Sequence, residues 1–397
     1  MTMKEATQAT HAGRKPKQFN GIVNPPVMHA STVLFPTLAS LRQSRKIRPG
    51  DGYTYGLHGT DTTFALEEAI RAIEGGYRTR LQPSGLVSCT LPFLAYLSSG
   101  DHCLVPDNVY GPVRSFCGGM LGRMGIEVQY YDPLIGGGIE RLIRPNTKLV
   151  WVESPGSVTF EVQDIPAIAD AAHRHGAIVA MDNTWASPLY FKPFEHGVDV
   201  SVQAVTKYIA GHSDLVMGSV SCTEAAYPAF QRAQMELGVC PGPDDVFLAM
   251  RGIRSLHVRL PHHMKSGLRV AEWLMARKEV AEVIHPAMPH DPGHAIWKRD
   301  FLGASSLFAF VLKPEYSSEA QLSAMMDQMR LFGMGYSWGG FESLLLPLDP
   351  NEVRTATSWP WPGRPKGQLM RIHVGLEDVD DLLDDLSDGL ARAWHAG

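Results

Sequence analysis

The sequence is poor in the features that mark several protein classes. Its cysteines are few, five in 397 residues (Cys89, Cys103, Cys117, Cys222 and Cys240), odd in number and without a CxxC pair. That excludes a disulfide framework or a zinc knuckle, and the thiols read as reduced and buried. There is no run of Lys or Arg, and the formal net charge is −5. Neither a nucleic-acid surface nor an anionic-membrane surface is expected from such a balance. No apolar stretch is long enough to span a bilayer. The opening MTMKEATQATHAGRKPKQFNG is polar and holds no apolar signal core, so a cytoplasmic location is expected. A dinucleotide fingerprint is also lacking. The glycines of LIGGGIERLI (Gly136 to Gly138) have the wrong spacing, follow the loop signal Asp132-Pro133, and read as a turn before a helix. His11 and the pair His262-His263 have no carboxylate or cysteine at ligand spacing, so no metal site is expected.

What is present fits an ordinary globular protein, 44 % apolar and 19 % charged, and long enough for two domains. Residues 1–60 are rich in Pro, Gly and Thr without sustained period. They read as an extended arm, and an arm of that length is expected to lie on another subunit. TTFALEEAIRAIEGG reads as an amphipathic helix stopped by Gly75 and Gly76. Then HCLVP, IEVQYY, KLVWVES, AIVAMDN and VDVSVQAV alternate with the helical patterns VSCTLPFLAYLSS and IPAIADAAHRHG. Strands alternating with helices predict a mainly parallel sheet covered on both faces, with ligands at its carboxyl edge. Beyond residue 258, HHMKSGLRVAEWLMARKEV and VDDLLDDLSDGLARAWHAG read as helices, and SSLFAFVLK and QLMRIHVGLE as strands. The expected division is an arm (1–60), a large sheet domain (61–257) and a smaller α/β domain (258–397).

The chemistry is expected at strand ends. KLVWVES ends at Glu153 and Ser154, AIVAMDN at Asp182 and Asn183, and VSVQAVTKY at Thr206 and Lys207. Lys207 stands among Val205, Tyr208, Ile209 and Ala210, where an ammonium is costly. An aspartate and a lysine converging on one edge suit pyridoxal phosphate, with the lysine as Schiff-base amine and the aspartate keeping the pyridine nitrogen protonated. The same residues are also compatible with a turn-capping Asp182 and a solvated Lys207. Ser84, Gly85 and Leu86 open a helix and offer backbone amides to a phosphate, and the Thr206 hydroxyl is a further donor. Arg371, mid-strand among apolar neighbours, needs an anion: a substrate carboxylate or an internal salt bridge.

Taken together, SVQAVTKYIAGHSD, VESPGS, MDNTWAS, YGLHGT followed by ALEEAIRAIEGG, YSWGGFESL and RIHVGLEDVDDLLDDL resemble the Cys/Met-metabolism family of fold-type I pyridoxal-phosphate enzymes. The resemblance runs from the THAG near residue 11 to the end of the chain. Within the family, YDPLIG, SWGGFESL and KRDFLGASSLFAFVLK resemble the bacterial branch that cleaves the Cβ–S bond of L-cystathionine in methionine biosynthesis. The γ-acting relatives carry SLGG-type sequence where this chain has Ser337-Trp338-Gly339-Gly340.

The resemblance implies a set of roles. Lys207 would bind the cofactor and move the proton from Cα to the leaving group. Asp182 would pair with the pyridine nitrogen and Tyr110 would stack on the ring. Gly85, Leu86 and Thr206 would hold the phosphate. Arg371 would bind the substrate carboxylate beside Tyr336, Ser337 and Trp338. Tyr55 would reach a neighbouring subunit's active site, in a tetramer built from dimers. One departure stands out: two residues after Tyr55 the family usually has an arginine for the phosphate, whereas here Leu57 offers no donor. Either His58 takes its place near the phosphate, or the backbone amides and Thr206 suffice. The other readings are a cystine or cysteine-S-conjugate β-lyase, a cystathionine or methionine γ-lyase, and a cofactor-binding regulator without turnover.

Overall fold

The computed structural model describes residues 3–360 and 363–396. Seven strands, β1 (Arg78–Gln82), β2 (His102–Pro106), β3 (Glu127–Tyr131), β4 (Thr147–Glu153), β5 (Ile178–Asp182), β6 (Val200–Gln203) and β7 (Gly218–Cys222), form a sheet in the order β1-β7-β6-β5-β4-β2-β3. Strand β7 runs antiparallel to both its neighbours, and the pairs from β6 to β3 are parallel. Two successive reversals turn β1 back into the common direction, so the carboxyl ends of β1, β4, β5 and β6 share one edge.

The helices before and within this sheet are α1 (Glu5–His11), α2 (Leu38–Ser44), α3 (Asp61–Glu74), α4 (Gly85–Tyr96), α5 (Gly111–Phe116), α6 (Ile165–Arg174), α7 (Ser187–Tyr190) and α8 (Tyr227–Leu237). Their limits follow from local chemistry. Thr60 and Thr63 cap α3 reciprocally, and Gly75 ends it at φ 89°. In α6, Asp164 accepts from the Ala167 N–H, and Ile165, Ile168, Ala169 and Ala172 bury one face. Parallel strands covered on both sides need apolar side chains on both faces, which is why Leu149, Val150, Trp151 and Val152 of β4 are all fully buried.

The remaining strands, β8 (Val280–Ile284), β9 (Leu307–Leu312), β10 (Leu344–Leu348) and β11 (Gln368–His373), make an antiparallel sheet in the order β10-β11-β9-β8. One face packs with α11 (Glu319–Met326) and α12 (Val379–His395), while Ile296 and Trp297 of α10 (His294–Asp300) pack against the cluster that holds Ile284 and Ala309. One 33-residue helix, α9 (Pro243–Met275), joins the two sheets. Its Val246, Ala249 and Ile253 lie in the core beneath α3, and its Val270, Ala271 and Leu274 in the core of the second sheet. The 257/258 division expected from the sequence falls inside this helix.

Three expectations are corrected. Residues 1–60 are not simply extended: they contain α1 and α2, and Arg254 fastens α1 by donating to the Ala9 and Ala12 carbonyls at 2.9 Å. The remainder does stand out from the body, with Ile22, Leu34 and Leu38 each more than 60 % exposed. Gly136–Leu142 is a 3₁₀ helix rather than a turn leading into an α-helix. Cys240 is exposed, while the other four cysteines are buried. Among the described residues no helix is long and apolar enough to cross a membrane.

Candidate active site

The carboxyl edge opens into a cavity of about 370 Å³ in which residues distant in the chain meet. It is lined by Gly85, Leu86, Tyr110, Asp182, Thr206 and Lys207 from the first sheet's loops, and by Tyr336, Ser337, Trp338 and Arg371 from the second part of the chain.

Lys207 is not a strand-end residue. β6 stops at Gln203, and Lys207 sits in the next turn, where its N–H donates to Ala204 and its carbonyl accepts from Gly211. Its ammonium donates to Ser337 Oγ at 2.6 Å and lies 5.2 Å from the centre of the Trp338 ring. Burial, then the Arg371 charge, pull the amine down to about 8, and Asp182 opposes this. Near neutrality a usable share of this amine is free base. Two backbone features hold the opposing wall. Ser337 adopts φ 88°, in the left-handed region that disfavours side chains. Gly339, at φ 84°, lies so close that an added Cβ would come within 2.9 Å of the Tyr208 nitrogen. Gly339→Ala is therefore expected to destabilise the protein by ~1–3 kcal/mol, read as a lower urea midpoint. An unchanged midpoint would contradict the close approach.

Asp182 ends β5 and is the register partner of Glu153 at the end of β4. One of its oxygens accepts the Thr184 N–H at 2.9 Å, and the other faces the Cys89 thiol at 3.5 Å. Burial pushes this carboxyl up, while the Thr184 bonds favour its ionised form. Gly85 begins α4, and an added Cβ there would press on Ala204 Cβ at 2.8 Å, so only glycine lets this helix start come so near the Lys207 turn. The Gly85 and Leu86 amides open the helix and have no intrahelical acceptor. Tyr110 is 41 % exposed, so its ring is available to stack on a ligand. Arg371 on β11 has no carboxylate partner among the described residues. Its only hydrogen bond there is to the Ser337 carbonyl at 3.3 Å, and burial pulls it below its ordinary value. The internal salt bridge left open by the sequence is therefore not formed, and a cation waits unpaired beside the lysine.

Three expected site residues are placed differently. The Thr206 hydroxyl is already used, donating to the Met217 carbonyl at 3.1 Å and accepting its N–H at 2.9 Å, so it braces the lysine turn before it can serve a phosphate. Tyr55 and His58 do not line the cavity of their own chain. Tyr55 stands 48 % exposed, and Thr54 Oγ1 contacts His58 Nδ1 at 2.6 Å. Burial, then Arg80, hold that imidazole below its usual range, so it is no substitute for a fixed positive charge. In the other direction, Cys89 and Glu153 line the cavity, although sequence reasoning had assigned the first to packing and gave the second no role. The signal was weak: nothing marks a helix cysteine as facing a strand-end acid until the helix is docked.

The residues fit pyridoxal phosphate. An amine of lowered basicity, a buried carboxyl, an open helix start and an exposed aromatic ring face one cavity, and these answer the aldehyde, ring nitrogen, phosphate and ring face in turn. Comparison with known proteins agrees. The Cys/Met metabolism PLP-dependent enzyme family matches residues 6–391. The chain belongs to that family. It is 51 % identical over 390 residues to a putative cystathionine beta-lyase of Rhizobium johnstonii, covering 98 % of this chain and 96 % of that one. It is 41 % identical over 394 residues to the cystathionine beta-lyase of Escherichia coli, covering 97 % and 98 %. Among solved structures, a cystathionine gamma synthase from Xanthomonas oryzae superposes with a TM-score of 0.90 over the whole of both chains, at 29 % identity. The fold is thus that of the fold-type I pyridoxal-phosphate enzymes.

Proposed function

We propose that the protein is a carbon–sulfur β-lyase that cleaves L-cystathionine to homocysteine, pyruvate and ammonia. The observation that carries this reading is the meeting of Lys207 with the unpaired Arg371 in one cavity. Similarity to β-lyases at 51 % and 41 % identity supports β-cleavage over the γ-chemistry of more distant relatives.

When bound, pyridoxal phosphate supplies an electron sink for the pair left at Cα. This chain's residues do the rest. Arg371 takes the substrate carboxylate as a bidentate partner, and Ser337, held at its unusual backbone angle, lies beside it. The Lys207 amine removes the proton from Cα and returns it to the departing sulfur. Asp182 would keep the ring nitrogen protonated, Tyr110 would stack on the ring, and the Gly85 and Leu86 amides would hold the phosphate. Tyr55, and His58 as a neutral hydrogen-bonding group, act from a neighbouring subunit, so the working unit is at least a dimer. The exposed apolar arm residues support that assembly.

The lysine also predicts a pH dependence. Protonated amine cannot attack the cofactor aldehyde, and the amine loses its proton near pH 8. Cofactor uptake by the apoprotein should therefore quicken about tenfold per pH unit below that point and level off above it. Stopped-flow absorbance would measure this, and a rate unchanged from pH 6 to 9 would contradict it. The reaction itself is tested by product analysis. Pyruvate with homocysteine from L-cystathionine supports the proposal. 2-Oxobutyrate with cysteine would replace it by a γ-lyase, and no keto acid from any sulfur amino acid by a non-catalytic binder.

A further inference from the structure

Glu153 is a buried acid in the cavity wall for which the mechanism above has no use. It is 5 % exposed, ends β4 directly opposite Asp182, and forms no ion pair among the described residues. Its bonds are specific. Oε2 accepts the Tyr110 N–H at 2.8 Å, and Ser157 from the following loop lies near the same carboxyl and favours its ionised form. Before Tyr110 the chain is held by other bonds, with Asp107 accepting from Thr355, Ala356 and Thr357 and Asn108 donating to Glu161, and the Glu153 carboxyl is what holds the Tyr110 N–H itself. Tyr110 caps α5, a helix of six residues, without a side-chain hydrogen bond of its own.

The Ser157 segment is strained as well. Val158 at φ 73° and Phe160 at φ 56° both occupy the left-handed region, which is especially unfavourable for a β-branched valine. Both residues line the cavity. A single carboxyl thus stands where three walls meet: the strand edge with Asp182, the Tyr110 turn, whose N–H it accepts, and the strained Ser157 loop. Burial and the adjacent Asp182 push this carboxyl up, so leaving it there is unfavourable. A role in packing alone would be served better by a neutral residue.

We propose that Glu153 is a positioning residue of this active site: its carboxyl fastens the Tyr110 backbone to the edge that carries Asp182, and thereby sets the Tyr110 ring against the cofactor. The inference rests on the cofactor-binding reading of the cavity, though not on the choice of substrate. Its mode of action is indirect, through the backbone of Tyr110, and that makes it separable from a general loss of stability.

The test is a double-mutant cycle on the full chain with E153A, E153Q, Y110A and E153A/Y110A. Two quantities are read: the dissociation constant of pyridoxal phosphate from the apoprotein, by tryptophan fluorescence, and kcat and KM of the loaded enzyme. E153A is expected to weaken cofactor binding about tenfold and lower kcat about 30-fold, with KM changed less than about threefold. E153Q, whose amide oxygen still accepts the Tyr110 N–H, should recover most of both losses. In the Y110A background, E153A should cost less than about threefold, because the ring it positions is gone.

Equal costs in both backgrounds would overturn the proposal, as would E153Q falling as low as E153A. Should E153A fail to fold, E153D enters the same cycle, since it keeps a carboxyl beside Asp182 but withdraws it by one methylene from the Tyr110 N–H. A chain that binds the cofactor but does not cleave cystathionine would end the substrate reading and leave the binding arm of this cycle intact.

Discussion

Replacing Lys207 by alanine is expected to lower kcat by a factor on the order of 10⁴ while leaving the fold intact. Among Lys207, Asp182 and Arg371, the amine is the group able to take a proton from Cα and hand it on. The alternatives fail on chemistry: Asp182 is committed to the Thr184 N–H and the Cys89 thiol, and Arg371 does not release a proton at working pH. Little stability depends on the side chain. It makes one hydrogen bond, to Ser337, and burial already disfavours its charge. The thermal midpoint of the apoprotein should therefore hardly move. Lys207→Arg should be nearly as inactive, because a guanidinium keeps its proton however it is buried. Turnover above about one per cent of the parent in either variant would place the base elsewhere.

The second large effect is expected at Arg371. Arg371→Leu should reduce kcat/KM roughly 10²- to 10³-fold, mostly through KM, since losing one partner of a buried charge pair costs about 2–5 kcal/mol. A lysine ammonium is a point charge without the planar fork, so Arg371→Lys should restore little. A carboxamide analogue of an S-alkylcysteine gives the decisive comparison. The parent should discriminate against the amide by a similar factor, and the leucine variant should not discriminate at all. If the variant still prefers the carboxylate, Arg371 is not its partner. The geometry argues that it is, because the half-buried guanidinium has no counter-ion among the described residues and lines the same cavity as Lys207.

Much of the fold was legible because buried parallel strands write themselves as short apolar runs. HCLVP, KLVWVE and AIVAMD became β2, β4 and β5 for that reason. Of the four strands that escaped notice, β1, β7, β8 and β10, two are polar. In β1 (RTRLQ), Arg80 is buried only because Glu67 of α3 pairs with it at 3.1 Å. In β7 (GSVSC), Ser221 is buried against the Thr79 hydroxyl and the Glu74 carboxylate. No local pattern announces that a distant acid will make a charged or hydroxylated strand tolerable in a core. β10 (LLLPL) is broken by a proline, which argues against a strand until its place at the sheet edge is known.

By itself the sequence determined the class of chemistry. An amine set in apolar surroundings, an acid at a strand end, a glycine opening a helix and an arginine inside a strand are each costly unless used, and burial cost can be read from neighbours in the chain. The tertiary structure alone decided how those groups are deployed. It showed that Lys207 stands on a turn past its strand, that Thr206 spends its hydroxyl on Met217, and that Tyr55 and His58 do not line their own chain's cavity. It also brought Cys89 and Glu153 to Asp182. Those facts depend on register, on helix docking and on which surface meets solvent. They are set by contacts between segments far apart in the chain, and no window along the sequence contains both partners.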